Sequence, residues 1–222
     1  MRMKNFVMGL ALTAMTGAAM AQLPKAISGA QAPQAALPVQ ASADTSKAVP
    51  VSDTLADNHL DKAIAAVGAG DKATSVSELQ TGINNLKKEV NNNPGSINDK
   101  ALAQASNLEK LLPLAQSGAL QANVLQKATG MAKMALMYQR IEKLVNGAKS
   151  LSTVVGPLTS NLKGLGGAMS LLGAAGSGGQ SLLTSALGGL SKLGQGGPAA
   201  AAAEPAVKGQ IGSLLNFVKG SL

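Results

Sequence analysis

The chain has 222 residues, 45% of them hydrophobic, yet it holds one tyrosine, two phenylalanines, no tryptophan and no cysteine. Without cysteine there are no disulfides and no thiol for lipid attachment, so packing alone must hold any core. The formal charge is +8, but the near absence of aromatics to stack on bases, with Arg140 the sole arginine beyond Arg2, argues against a nucleic-acid partner.

Residues 1–21 read as a signal peptide. Arg2 and Lys4 give a positive start, Phe6 to Thr16 is apolar and uncharged, and Ala19-Met20-Ala21 is a small-residue cleavage site. The expected mature chain begins at Gln22, is exported to the periplasm or beyond, and is not a lipoprotein. Residues 22–52 are rich in Ala, Pro, Gln and Ser, with Pro24, Pro33, Pro38 and Pro50, and predict a disordered leader.

Residues 53–150 predict a small all-α domain, a four-helix up-down bundle. The first helix carries Leu60, Ala63, Ile64 and Val67 on one face and stops at Gly68-Ala69-Gly70. The second begins between Asp71 and Ser75, where Ser75 and Glu78 have capping-box spacing. Its seam is Val76, Leu79, Ile83, Leu86 and Val90, and Asn93-Pro94-Gly95 ends it. A third, capped by Ser96 or Asn98, sets Ala101, Ala105, Leu108, Leu112 and Ala115 on one face, with Leu102 and Leu111 beside them. Pro113 must kink or end it. The fourth runs from about Ala119 to Asn146, with Leu120, Val124, Ala128, Met131, Met134 or Ala135, Tyr138, Ile141 and Val145 as its stripe. Short turns between successive helices favour antiparallel neighbours.

Residues 151–222 predict a basic, Gly/Leu-rich tail. Gly156 to Gly197 holds 13 glycines in 42 residues. Three weak amphipathic stripes run through it: Leu158-Leu162-Leu165-Met169-Leu172, Leu183-Leu187-Leu190, and Ile211-Leu214-Leu215-Val218-Leu222. Each interior glycine costs a helix about 1 kcal/mol relative to alanine, so these helices need a surface, either the bundle or a membrane. Charge points the same way. Asp53 to Glu142 has nine basic and nine acidic residues, whereas Lys143 to Leu222 has six lysines against Glu204 alone. That imbalance suggests an anionic partner, a membrane surface or an envelope protein.

Catalytic chemistry has little to build on. His59 is the only histidine, no nucleophile elbow is present, and His59 reads first as a solvated residue in the opening turn of a helix. Asp53, Asp57 and Asp61 recur every four residues. They form an edge suited to a loosely held divalent cation, but more simply they favour the positive end of a helix dipole. Met131, Met134 and Met137 have a spacing that suits Cu(I), and equally fill a core. No haem-attachment motif or phosphate-binding glycine loop occurs.

The expectation is an exported, non-enzymatic interaction or scaffold protein without a cofactor. Its tail meets a membrane surface or partner through Leu158, Leu162, Leu165, Leu172, Leu214, Leu215, Phe217 and Val218, with Lys163, Lys192, Lys208 and Lys219 facing anionic groups. The alternatives are a copper-handling bundle using Met131, Met134 and Met137, or a purely structural envelope protein.

Overall fold

Every regular element in the computed structural model, which describes residues 55–222, is helical. The chain forms α1 (Leu55–Ala69), α2 (Lys72–Asn92), α3 (Asn98–Glu109), α4 (Leu112–Ser117), α5 (Ala122–Gly147), α6 (Val155–Leu171), α7 (Ser177–Gly194) and α8 (Gly197–Ser221). Short 3₁₀ turns at Leu151–Val154 and Gly173–Gly176 precede α6 and α7. The signal peptide and the leader expected over 1–52, and Asp53 with them, lie outside the described residues.

The helix boundaries follow local chemistry. The side chain of Asp71, not Ser75, caps α2 by accepting the Thr74 N–H at 3.0 Å. Ser75 lies inside the helix, its hydroxyl donating to the Lys72 carbonyl at 2.8 Å. Asn98 turns its amide oxygen back onto the Gly95 N–H at 2.7 Å, so Ile97 opens α3 without a side-chain cap. Pro113 starts α4, at a first-turn position that needs no N–H. Gly118 closes α4 at φ 77°, where a Cβ would be strained.

α5 organises the rest. From Thr129 to Ile141 every side chain except Met131, Lys133 and Arg140 is buried, so this helix is covered around its circumference rather than along one stripe. Its opening also differs from the expected register. Leu125 is fully buried, whereas Val124 is 42% exposed, and the helix begins at Ala122 rather than Ala119.

On one side α1 packs on α2, α2 on α3, and both α1 and α3 on α5. On the other, α5 packs on α6, α6 on α7, α7 on α8, and α8 closes back on α5. The second group is a run of antiparallel pairs. Gly130 meets Leu171 and Leu172 while Gly164 meets Met137; Gly166 meets Leu183 while Gly179 meets Met169; Gly189 meets Val207 while Gly179 meets Phe217.

Two expectations are corrected here. Residues 53–150 do not close into a four-helix bundle of their own, because the described part makes five helices and the last is covered by α6 and α8. Nor is the C-terminal third a weakly helical tail, for it forms α6, α7 and α8 in the same compact unit as α1–α5. Burial decides the matter. Each interior glycine costs about 1 kcal/mol, but each fully buried leucine contributes roughly 1.5–3 kcal/mol, and α6 alone buries Leu158, Leu162 and Leu165 completely. Several glycines also make this packing close. A Cβ at Gly130 would stand 3.1 Å from the Ala168 carbonyl oxygen, and one at Gly179 would overlap the Phe217 ring at 2.6 Å.

Candidate functional site

The residues singled out in the sequence separate into three environments. The first is a cluster of charges between α1, α2 and α5. The Arg140 guanidinium forks onto both oxygens of Glu89 and donates from Nη1 to Asp57 Oδ2 at 2.8 Å. One turn away along α1, Lys133 Nζ donates to both oxygens of Asp61 at 2.7 and 2.9 Å. His59 Nδ1 pairs with Glu78 of α2. Asp57 and Asp61, the described members of the acidic edge, are therefore taken up in cross-helix ion pairs. Burial pushes the Asp57 carboxyl above its ordinary value, outweighing the pull of Arg140 and then Lys133. Burial also opposes the Arg140 charge, but the hydrogen bonds it donates to Glu89 and the field of Asp57 hold the guanidinium above its ordinary value. No group of three or more His, Cys, Asp or Glu suited to a metal ion occurs among the described residues.

The second environment is the core, which takes the methionine run. Met134 and Met137 are buried and Met131 is half-buried. The Met137 sulfur lies 3.0 Å from where Gly164 would carry a Cβ and accepts an Arg140 N–H at 3.7 Å. Its contacts are those of a gap-filler between α5 and α6.

The third is the C-terminal half. Leu158, Leu162, Leu165, Leu214 and Val218 are fully buried, and Leu172, Leu215 and Phe217 are partly buried against the same core. In this conformation the apolar contact residues face the protein itself. The lysines expected beside them do face solvent: Lys163, Lys192, Lys208 and Lys219 are all exposed. Lys192 and Lys219 stand in the last turns of α7 and α8, where a cation also favours the helix dipole.

Glu204 is what sequence reasoning left unplaced. It reaches from α8 to the turn before α6, accepting the Leu151 N–H at 2.9 Å and the Ser150 hydroxyl at 2.7 Å, and pairing with Lys208 at 3.3 Å. The Leu151 N–H, then the Ser150 hydroxyl, hold its carboxyl below the ordinary value. The only signal for this in the sequence was its isolation as the single acid after Lys143. Ser150, Ser152, Gly196, Gly197, Ala200, Ala201 and Glu204 line a shallow depression of about 160 Å³. Ser152 Oγ lies 2.8 Å from Ser150 Oγ, which superficially gives a serine–serine–carboxylate relay. A carboxylate already holding three donors is a weak base, so the arrangement secures structure rather than activating a nucleophile.

No described helix is long and apolar enough to cross a membrane. Compared with known protein families, curated proteins and solved structures, the chain matches none.

Proposed function

We propose that this chain is an exported, non-enzymatic helical protein that binds anionic envelope surfaces through the lysine-bearing outer faces of α6, α7 and α8. In this reading the antiparallel helices form an up-down bundle, and α1–α4 are the part displayed away from the surface. The carrying observation is the disposition of charge. After Lys143 the only acidic side chain is turned inward and hydrogen-bonded, while Lys163, Lys192, Lys208 and Lys219 are exposed. The solvent-facing charge of that half is thus positive, and long-range attraction to anionic headgroups is its direct consequence. Serines, glycines and alanines between the lysines let a flat surface approach closely.

Vesicle flotation with the full mature chain tests this. The wild type floats with anionic vesicles and not with neutral ones. A variant carrying Lys163→Glu, Lys192→Glu, Lys219→Glu and Lys208→Gln stays unbound while keeping its helical circular dichroism; glutamine is used at 208 because a glutamate there would face Glu204. Equal flotation of the two proteins removes the electrostatic reading, and flotation of neither leaves a purely structural envelope role.

A further inference from the structure

α8 is the last of the C-terminal helices and packs on one main neighbour, α7. It is joined to α7 through Gly196 and Gly197, both left-handed at φ 71° and 79°, backbone that a glycine pair adopts and leaves at little cost. Its apolar edge, Val207, Ile211, Leu214 and Val218, is buried chiefly against α7, with narrower contacts to α5 and the Leu151–Val154 turn. The spacing of four, three and four residues makes that edge continuous along a helix. Lys208 and Lys219 flank it and are exposed. Two polar fastenings tie α8 to other parts of the molecule. One is Glu204 on Ser150 and the Leu151 N–H; the other is Lys100 Nζ donating to the Lys219 carbonyl at 2.7 Å.

We propose that α8 is a latched amphipathic arm, with Gly196–Gly197 as hinge and Glu204 as catch, whose release presents Val207, Ile211, Leu214 and Val218 to an anionic lipid surface. The proposal rests on the membrane reading above for its ligand, but not for the catch itself. A helix with that apolar edge between lysines is suited to lying in a lipid interface. Closed, the arm hides the edge in the core; near anionic lipid its lysines are attracted and its single acidic side chain, Glu204, is repelled. Lys208 is the charged group paired with that carboxylate, the rest of the depression being Ser150, Ser152, Gly196, Gly197, Ala200 and Ala201. Acid therefore weakens the catch in one direction only. Because the folded-state value of Glu204 is depressed, its stabilisation is full above the ordinary carboxylate range and is lost as pH falls through the depressed value.

Two measurements decide it. In lipid-free buffer at neutral pH, hydrogen exchange is compared for wild type, Glu204→Ala and the charge-matched Asp99→Asn, an exposed acid on α3. Glu204→Ala speeds exchange at Leu151 and along α8 by about tenfold or more while α1–α5 keep their protection; unchanged protection at Leu151 and α8 overturns the catch. On anionic vesicles, Glu204→Ala floats at lower lipid concentration than Asp99→Asn. The same gain from both variants means that charge alone is responsible and overturns the arm. A staple checks that opening is needed. A Cβ at Gly189 lies 3.6 Å from that of Val207, within the separation a disulfide spans, and the chain has no other cysteine. Oxidised Gly189→Cys/Val207→Cys in the Glu204→Ala background loses the gain and recovers it on reduction; a gain that survives oxidation overturns the arm. Flotation by none of the proteins overturns the membrane reading and the arm's ligand together, while exchange still decides the catch.

Discussion

Arg140 shows how a single residue carries information that its own sequence neighbourhood does not contain. Its partners Asp57 and Glu89 lie 83 and 51 positions away. The four-residue recurrence of Asp53, Asp57 and Asp61 is plain in the sequence, yet nothing there says that Asp57 and Asp61 face cations on α5. The guanidinium is 10% exposed and Asp57 13%, so the pair is desolvated, and removing one member strands the others. Arg140→Met is expected to destabilise the fold by about 3 kcal/mol or more, read as a lower urea midpoint. A loss within the range of surface substitutions would mean that the cluster is hydrated in solution. Among the described residues Asp57 Oδ1 accepts no hydrogen bond, in keeping with the upward push of burial on that carboxyl.

For helices, existence was legible and environment was not. The seam of α2 emerged with Leu79, Ile83, Leu86 and Val90 buried as expected and Val76 only partly so, because a three-four period records burial on one face. In α5 the period failed to report, since a helix wrapped on several sides buries Gln139, Thr129 and Ala132 alongside its leucines. The glycines of α6–α8 posed the opposite problem. Composition counts every one as a cost, whereas the fold distinguishes those at close contacts from those in open space. A Cβ at Gly176 would lie 2.2 Å from the Met169 carbonyl oxygen, while one at Gly188 meets nothing within 4 Å. Gly176→Ala is therefore expected to destabilise by roughly 1–3 kcal/mol, and Gly188→Ala to stabilise by up to about 1 kcal/mol. Thermal melts of the two variants check the contrast, and a shift in the same direction for both would contradict this geometry of the turn joining α6 to α7.

At the scale of the molecule, α5 is the shared wall of two helical groups, and this is what the sequence concealed. Composition changes sharply after Gly156-Pro157, and a composition shift ordinarily marks a domain boundary. Here it marks the passage from charged helices that pair across their interfaces to Gly/Leu helices that approach closely. The change separates a charge-balanced group from a basic one without dividing the core. The proposed surface function needs both properties at once: a half that presents lysines outward, and a fold in water that keeps its leucines out of sight until a lipid surface is present.

The central claim is thus that residues 151–222 pack as part of the core in aqueous buffer, and hydrogen exchange of residues 22–222 without lipid tests it most directly. The account predicts that the amides of α6 and α7 are protected to within about tenfold of those in α2 and α5, with α8 somewhat less so. Rapid exchange throughout 151–222, beside a protected 55–147, would contradict it and return the glycine-rich segment to a tail that folds only against a partner.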